Sequence, residues 1–425
     1  MIARKPLSHV LFSASLYLFV FLSIDREASM FGFDMRYVLI ALMVPALFFS
    51  LCDVGRYQNT KVEAVDKLFF AYYALISISL LALIETDLPI DMAVLGNVTI
   101  LHGTNLLMLI LIVLNRKTIS MDSIANAVCI SGLVLGVSQI VVYLGFDLSV
   151  FLQSAEVRTM AVDRGAGEHL NLFGQHFRVS GFAEDPNYAC FFNVLCAAMA
   201  LYIKEKRPIF STIAFAVSVV GISLSWSRTV MLGSVVAGVI VAVAYSQPRL
   251  RKPILCILPC GVAAVSLLLP IMKISSLQTM STRYTLWTNA YHLFLESPFI
   301  GNGLTSFRSY NSLMHQGWYV HPHSSYWETL SEFGVIAFIV LVAIFIFALR
   351  ETENPMISFL VASFAIFSIN FDCTYLQISI VVLVLIPGYL QGAKDGATKL
   401  EGVSSKKTRL HQGSSRAFYH KARLA

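Results

Sequence analysis

The chain has 425 residues, 56% of them hydrophobic and only 13% charged, with a mean hydropathy of +0.70 and a formal net charge of +6. Soluble domains carry about 25% charged residues, so this composition excludes a water-soluble globular enzyme and leaves no expectation of a nucleic-acid partner. It implies an all-α polytopic membrane protein with little room for a separate soluble domain.

Arg4 and Lys5 precede the apolar run from Leu7 to Ile24. That pattern resembles a signal peptide, but no small-x-small cleavage site follows, so the run reads as an uncleaved first span. A hydrocarbon core of about 30 Å sets the length of each span. At that length the sequence predicts spans over 7–24, 36–52, 68–84, 93–114, 123–145, 187–203, 209–225, 229–245, 254–271, 326–349, 356–371 and 375–390. These are twelve transmembrane helices in one domain, 1–390, followed by a basic tail, 391–425, expected to be disordered and held near anionic lipid.

Charge orients the bundle. Of the 31 lysines and arginines, only Arg26, Arg36, Arg158, Arg164, Arg178, Arg228, Lys273, Arg283 and Arg308 fall on the side opposite the N-terminus. The rest cluster in loops such as Lys204–Arg207 and Arg249–Lys252 and in the tail. By the positive-inside rule both termini are cytoplasmic and the two long loops, 146–186 and 272–325, face outward. Eight of the nine outward basic residues are arginines, a choice that topology alone does not demand.

The seven cysteines form no CxxC pair, so neither a zinc site nor a disulfide framework is indicated; Cys256 and Cys260 share a helical face and read as packing. Twelve spans with both ends inside also describes many transporters. A two-halved transporter usually carries a long cytoplasmic loop between its sixth and seventh spans, whereas here the connection is only Lys204 to Pro208. An enzyme working at the outer surface needs long outer loops instead. No Gly-rich phosphate loop, DxD pair or Walker-type lysine is present, so a nucleotide donor has no support.

Four constellations face outward. The first is Arg178 followed by Gly181-Phe-Ala-Glu184-Asp185-Pro186-Asn187, in which Asp185 and Asn187 also read as a plain turn and helix start. The second is the tight turn Ser225-Trp226-Ser227-Arg228. It puts Arg228 at the positive end of a helix dipole, a place that suits either an anion partner or snorkelling at the interface.

The third is Arg283 with Trp287, Tyr291 and Phe294 at helical spacing, ended by Pro298 and Gly301-Asn-Gly303. This predicts an amphipathic helix lying in the outer interface, its aromatics anchoring it there. The fourth is His321-Pro322-His323-Ser324-Ser325, where Ser325 and Glu328 make a capping box and Glu332, one turn on, must face protein or water. Two histidines without a nearby acidic partner are weak evidence for a metal, so none is expected.

Taken together, Arg178-Val-Ser-Gly-Phe-Ala-Glu-Asp-Pro-Asn-Tyr-Ala, Ser225-Trp-Ser-Arg228, Arg283 with Trp287 and Pro298–Gly303, and His323-Ser with Gly334 nine residues on resemble the O-antigen ligase and polymerase superfamily of bacterial inner-membrane glycosyltransferases. The likeness covers about residues 175–350 and departs where Ala337 replaces the Gly, Thr or Tyr common three residues after the glycine. It implies a GT-C-like fold, no cofactor and a metal-independent transfer at the periplasmic face from a glycan on undecaprenyl diphosphate. Membrane lipids and a chain-length regulator are the further partners implied. In that family the arginines matching Arg228 and Arg283 hold the diphosphate and the histidine matching His323 lies at the reaction centre.

The chemistry of the residues agrees with that implication. Fixed guanidinium forks stabilise the charge that develops on a diphosphate leaving group, and Arg178 and Glu332 complete the expected substrate-binding set. A neutral His323, with an ordinary pKa of about 6.5, suits a proton acceptor. Polymerase is the preferred reading; ligase and a lipid-linked glycan flippase are the alternatives.

Overall fold

The computed structural model describes residues 7–24, 29–30, 33–52, 62–84, 86, 88–116, 120–144, 159–160, 178–183, 185–270, 278–314, 320–371 and 377–385. Arg26, Arg158, Arg164, Lys273, Glu184, Cys373 and the basic tail lie outside the described residues. The chain is an all-α polytopic membrane protein. Its helices run α1 (Leu7–Leu22), α2 (Met35–Cys52), α3 (Ala64–Ser79, continued as a 3-10 turn to Ile84), α4 (Met92–Asn115) and α5 (Met121–Tyr143). After these come α6 (Pro186–Ile203), α7 (Pro208–Ser225), α8 (Arg228–Ser246) and α9 (Arg251–Leu268). The C-terminal part holds α10 (Gln278–Glu296), α11 (Ser306–Met314), α12 (Ser325–Glu351), α13 (Pro355–Phe367) and α14 (Gln377–Ile380), which continues as a π-helical turn.

Among the described residues nine helices are long and apolar enough to cross a membrane, with α1 and α13 as shorter apolar helices. The first eleven predicted spans each overlap a helix, and the described part of the twelfth, 377–385, is α14 and its π turn. The ends are set by local chemistry. Proline at the first position starts α6, α7 and α13, where its missing N–H and fixed φ fit the first turn. Helix α3 begins at Ala64, four residues before the predicted start, because Glu63 and Asp66 cap each other across its first turn.

Two features depart from the sequence reading. Two antiparallel ladders of two residues each interrupt the helical chain, Ser29–Met30 with Phe33–Asp34 (β1 and β2) and Thr159–Met160 with Arg178–Val179 (β3 and β4). In the second long loop α10 is the helix that the sequence predicts, and the departure is a second helix, α11, beside it. They carry their own apolar core, in which Leu286, Trp287, Ala290, Leu293 and Phe307 pack against Trp327 and Leu330 of α12. Trp287 is 2% exposed, so it packs into protein and does not anchor the helix in lipid. Tyr291, on the adjoining stripe, is 41% exposed, as an interfacial aromatic would be. Cys260 is exposed on α9 and Cys256 half-buried, so packing accounts for only one of that pair.

Candidate active site

The N-terminus of α6 forms the floor of the site. Asp185 caps the helix by accepting the Asn187 N–H (2.6 Å), which confirms the turn and helix start read from Asp-Pro-Asn. The Asn187 amide oxygen accepts from Arg178 Nη2 (2.8 Å) and from Ser227 Oγ (2.7 Å). Arg178 Nε also donates to the Ser225 carbonyl (3.3 Å). The β4 strand and the turn between α7 and α8 are thereby joined through one arginine and one asparagine. Arg228 is the first residue of α8, capped by Ser227, and its side chain is exposed.

Arg283 approaches from α10. Burial pulls its guanidinium below the ordinary arginine pKa, the Asp185 carboxylate acts in the opposite sense, and the charge of Arg178 adds to the depression. Arginine stays protonated through any such shift. Arg283 lies within electrostatic reach of both Asp185 and Arg178. One helical turn on, about 5.4 Å along the axis, Trp287 Nε1 donates to the Pro322 carbonyl (3.0 Å). Helix α10 thus runs from the arginine cluster to the histidine segment.

His323 follows Pro322, and its ring meets that of His321 edge-on at 4.8 Å between centroids. The segment is tied back to the floor by a second route. Ser325, two residues on, donates from both its backbone N–H (3.0 Å) and its hydroxyl (2.9 Å) to the Phe371 carbonyl, and the Phe371 ring stands edge-on against Tyr188 of α6 at 3.7 Å. The segment bearing His323 is thus tied to α10 through Trp287 and to α6 through Phe371, Arg283 is in electrostatic reach of Arg178, and Arg228 adjoins the Ser227 that shares Asn187 with Arg178.

Backbone strain falls in turns between the helices. Among the described residues, the non-glycine positions with left-handed φ are Trp226 (45°), Thr305 (68°) and His323 (50°). Each stands in a turn that delivers one of these helices, and such conformations cost about 1–3 kcal/mol and persist where the surroundings impose them.

Residues 213–342 match the family model described as O-antigen ligase. Over this segment the chain is similar to the O-antigen ligase family. The matched window contains Arg228, Arg283, His323 and Glu332, while Arg178 precedes it. Neither a curated protein nor a solved structure matches the chain.

Within the matched segment, two expectations change. The N-cap of α12 is Ser324, and the Ser325 hydroxyl bonds to Phe371, so the predicted capping box of Ser325 and Glu328 does not form. A proline-bounded turn ahead of the helix moved the start by one residue, and the nearby end of α13 took the hydroxyl. Glu332 is fully buried as expected, and its Oε2 accepts the Thr305 N–H (3.0 Å). That carboxylate braces the Gly301–Thr305 turn, together with Gly303 N–H donating to the Glu332 carbonyl (2.9 Å) and Val335 N–H to that of Pro298 (2.8 Å). Gly334 makes this docking possible. It kinks α12 at φ 79°, and a Cβ there would strike the Phe299 carbonyl.

Arg308 on α11 was named in the sequence only as an outward arginine. Its Nη2 donates to His321 Nδ1 (3.3 Å), which makes His321 an acceptor at that nitrogen. The signal available in sequence was its identity as arginine in a long outer loop. Among the described residues no three His, Cys, Asp or Glu side chains gather as a metal site.

Proposed function

We propose that the protein is a polymerase of lipid-linked O-antigen or exopolysaccharide repeat units, transferring a glycan from undecaprenyl diphosphate at the periplasmic face of the bacterial inner membrane. What supports this reading is that Arg178 and Ser227, next to Arg228, share the Asn187 amide oxygen at the start of α6, while Arg283 lies within electrostatic reach of Arg178 and its helix is bonded through Trp287 to the turn before His323. The O-antigen ligase match over 213–342 supports the same class of reaction.

In the proposed reaction, Arg228 and Arg283 grip the diphosphate with charge-assisted hydrogen bonds, and Arg178 adds positive field from the floor. An acceptor hydroxyl attacks the anomeric carbon while the bond from that carbon to the phosphate oxygen breaks. The electron pair leaves on the diphosphate, where the guanidinium groups stabilise it at the edge of a low-dielectric bundle. Neutral His323 takes the hydroxyl proton and returns it to water. One direct displacement inverts the anomeric configuration. Glu332 serves this scheme by holding the Gly301–Thr305 turn, and no metal or cofactor enters it. Both termini are assigned to the cytoplasm, the twelve spans to one domain (1–390), and the emerging chain to a separate length-regulating partner.

The test adds purified protein to lipid-linked repeat units in detergent without nucleotide. Release of undecaprenyl diphosphate with a lengthened glycan is expected. Release only when a lipid A core acceptor is added would make the protein a ligase. Intact transport in vesicles without release would make it a flippase.

A further inference from the structure

Arg178 is aimed by groups that lie beneath it in the bundle. Gln139, near the C-terminal end of α5, is fully buried. Its Nε2 donates to the Val179 carbonyl (2.8 Å) and to Ser225 Oγ (2.7 Å), with a longer contact to the Gly221 carbonyl (3.4 Å). Its Oε1 accepts from Asn193 Nδ2 of α6 (2.8 Å). One residue earlier, Ser138 Oγ accepts the Phe182 N–H (3.1 Å).

These partners are the two pieces of chain that Arg178 bridges. Val179 is its immediate neighbour, and Ser225 supplies the carbonyl that receives its Nε. A glutamine amide inside an apolar span is costly unless it is saturated, and packing alone would be served by leucine or methionine. Here both amide ends are occupied, and three helices plus β4 are held by one side chain.

We propose that Gln139 is a positioning residue for the anion site. It sets the spacing between Arg178 and the Ser225–Arg228 turn, so that the two guanidinium groups face one diphosphate. Gln139 touches no substrate and acts through Arg178. The assignment rests on the diphosphate reading of the arginines given above.

The experiment compares wild type with Gln139→Met, which keeps side-chain length and loses every hydrogen bond. The KM for the lipid-linked glycan is expected to rise about tenfold with kcat changed less than about twofold, the split expected when binding geometry is lost and chemistry retained. Binding of inorganic diphosphate, followed by calorimetry on the detergent-solubilised protein, should weaken in the same proportion. In an Arg178→Ala background Gln139→Met should cause no further weakening, because its effect passes through that arginine. A purely structural role would instead lower the melting temperature and the active fraction, hence apparent kcat, and leave KM and diphosphate affinity alone; that result overturns the proposal, as does full additivity with Arg178→Ala. Should Gln139→Met fail to yield monodisperse protein, Ser225→Ala removes only the hydroxyl that Gln139 holds and is read in the same way. Wild type that turns over and binds diphosphate beside a variant with unchanged KM sinks the Gln139 assignment alone. Wild type that neither binds diphosphate nor releases it sinks the diphosphate reading and this proposal with it.

Discussion

Two clusters of basic residues in the helical bundle are held in different ways. In the first, at the start of α3 and the close of α4, Arg116 pairs with the buried Asp66 (2.7 Å), and nearby Lys206 pairs with Asp122 (2.6 Å). In the second none of Arg178, Arg228 and Arg283 forms an ion pair among the described residues. Arg178 is held by neutral oxygens, and Arg283 feels Asp185 and Arg178 together. Carboxylates neutralise the first two cations, and Asp34 does the same for the outward Arg36 at the start of α2, whereas neutral oxygens orient Arg178 and keep its charge uncompensated by a direct ion pair. A site for a dianionic leaving group requires the second arrangement.

Breaking the second cluster should affect chemistry most. Arg283→Ala and Arg228→Ala are each expected to cut turnover by about 10²–10³-fold, the usual loss when one donor to a developing anion is removed, measured as undecaprenyl diphosphate released. Arg228→Lys keeps the charge and loses the fork, so activity should still fall clearly; a lysine variant as active as wild type would show that Arg228 grips no diphosphate.

Removing a partner in the first cluster should do the reverse. Arg116→Ala leaves the buried Asp66 without its counter-ion, though still bonded to the Glu63 N–H, and should lower unfolding free energy by about 3 kcal/mol, read as an earlier thermal transition in detergent. The affinity of folded protein for diphosphate should not change. If it did, the two clusters would be coupled and the contrast between them would fail.

Smaller effects sharpen the picture. Trp287→Phe keeps the ring and removes the donor to the Pro322 carbonyl, a loss of about 1–2 kcal/mol that should appear as reduced kcat if this bond sets the histidine segment. Lys206→Ala, at a largely exposed pair, should change neither the thermal transition nor turnover.

The bundle was legible in the sequence because its physical cause is local. Long apolar runs must satisfy their backbone as helices, and proline, Asp-Pro-Asn and Ser-Arg signals mark where those helices begin. Arg178, Arg228, Arg283 and His323 stood out for a related reason: polar residues in outward turns of such a chain are few. The helical nature of 278–314 was harder to read beyond its first half, because the apolar face of α11 amounts to two turns and is completed only by α10 and α12.

Sequence by itself determined the membrane-spanning class and where most of the described helices begin, since each follows from composition or from neighbours along the chain. Only the tertiary structure decided that Asn187 joins Arg178 to Ser227, that Trp287 faces Pro322 and not lipid, that Ser325 bonds to Phe371, and that Gln139 holds Val179 and Ser225 together. Those pairings connect residues far apart in the chain, and their partners are fixed by how the helices pack, a property that no local pattern of residues encodes.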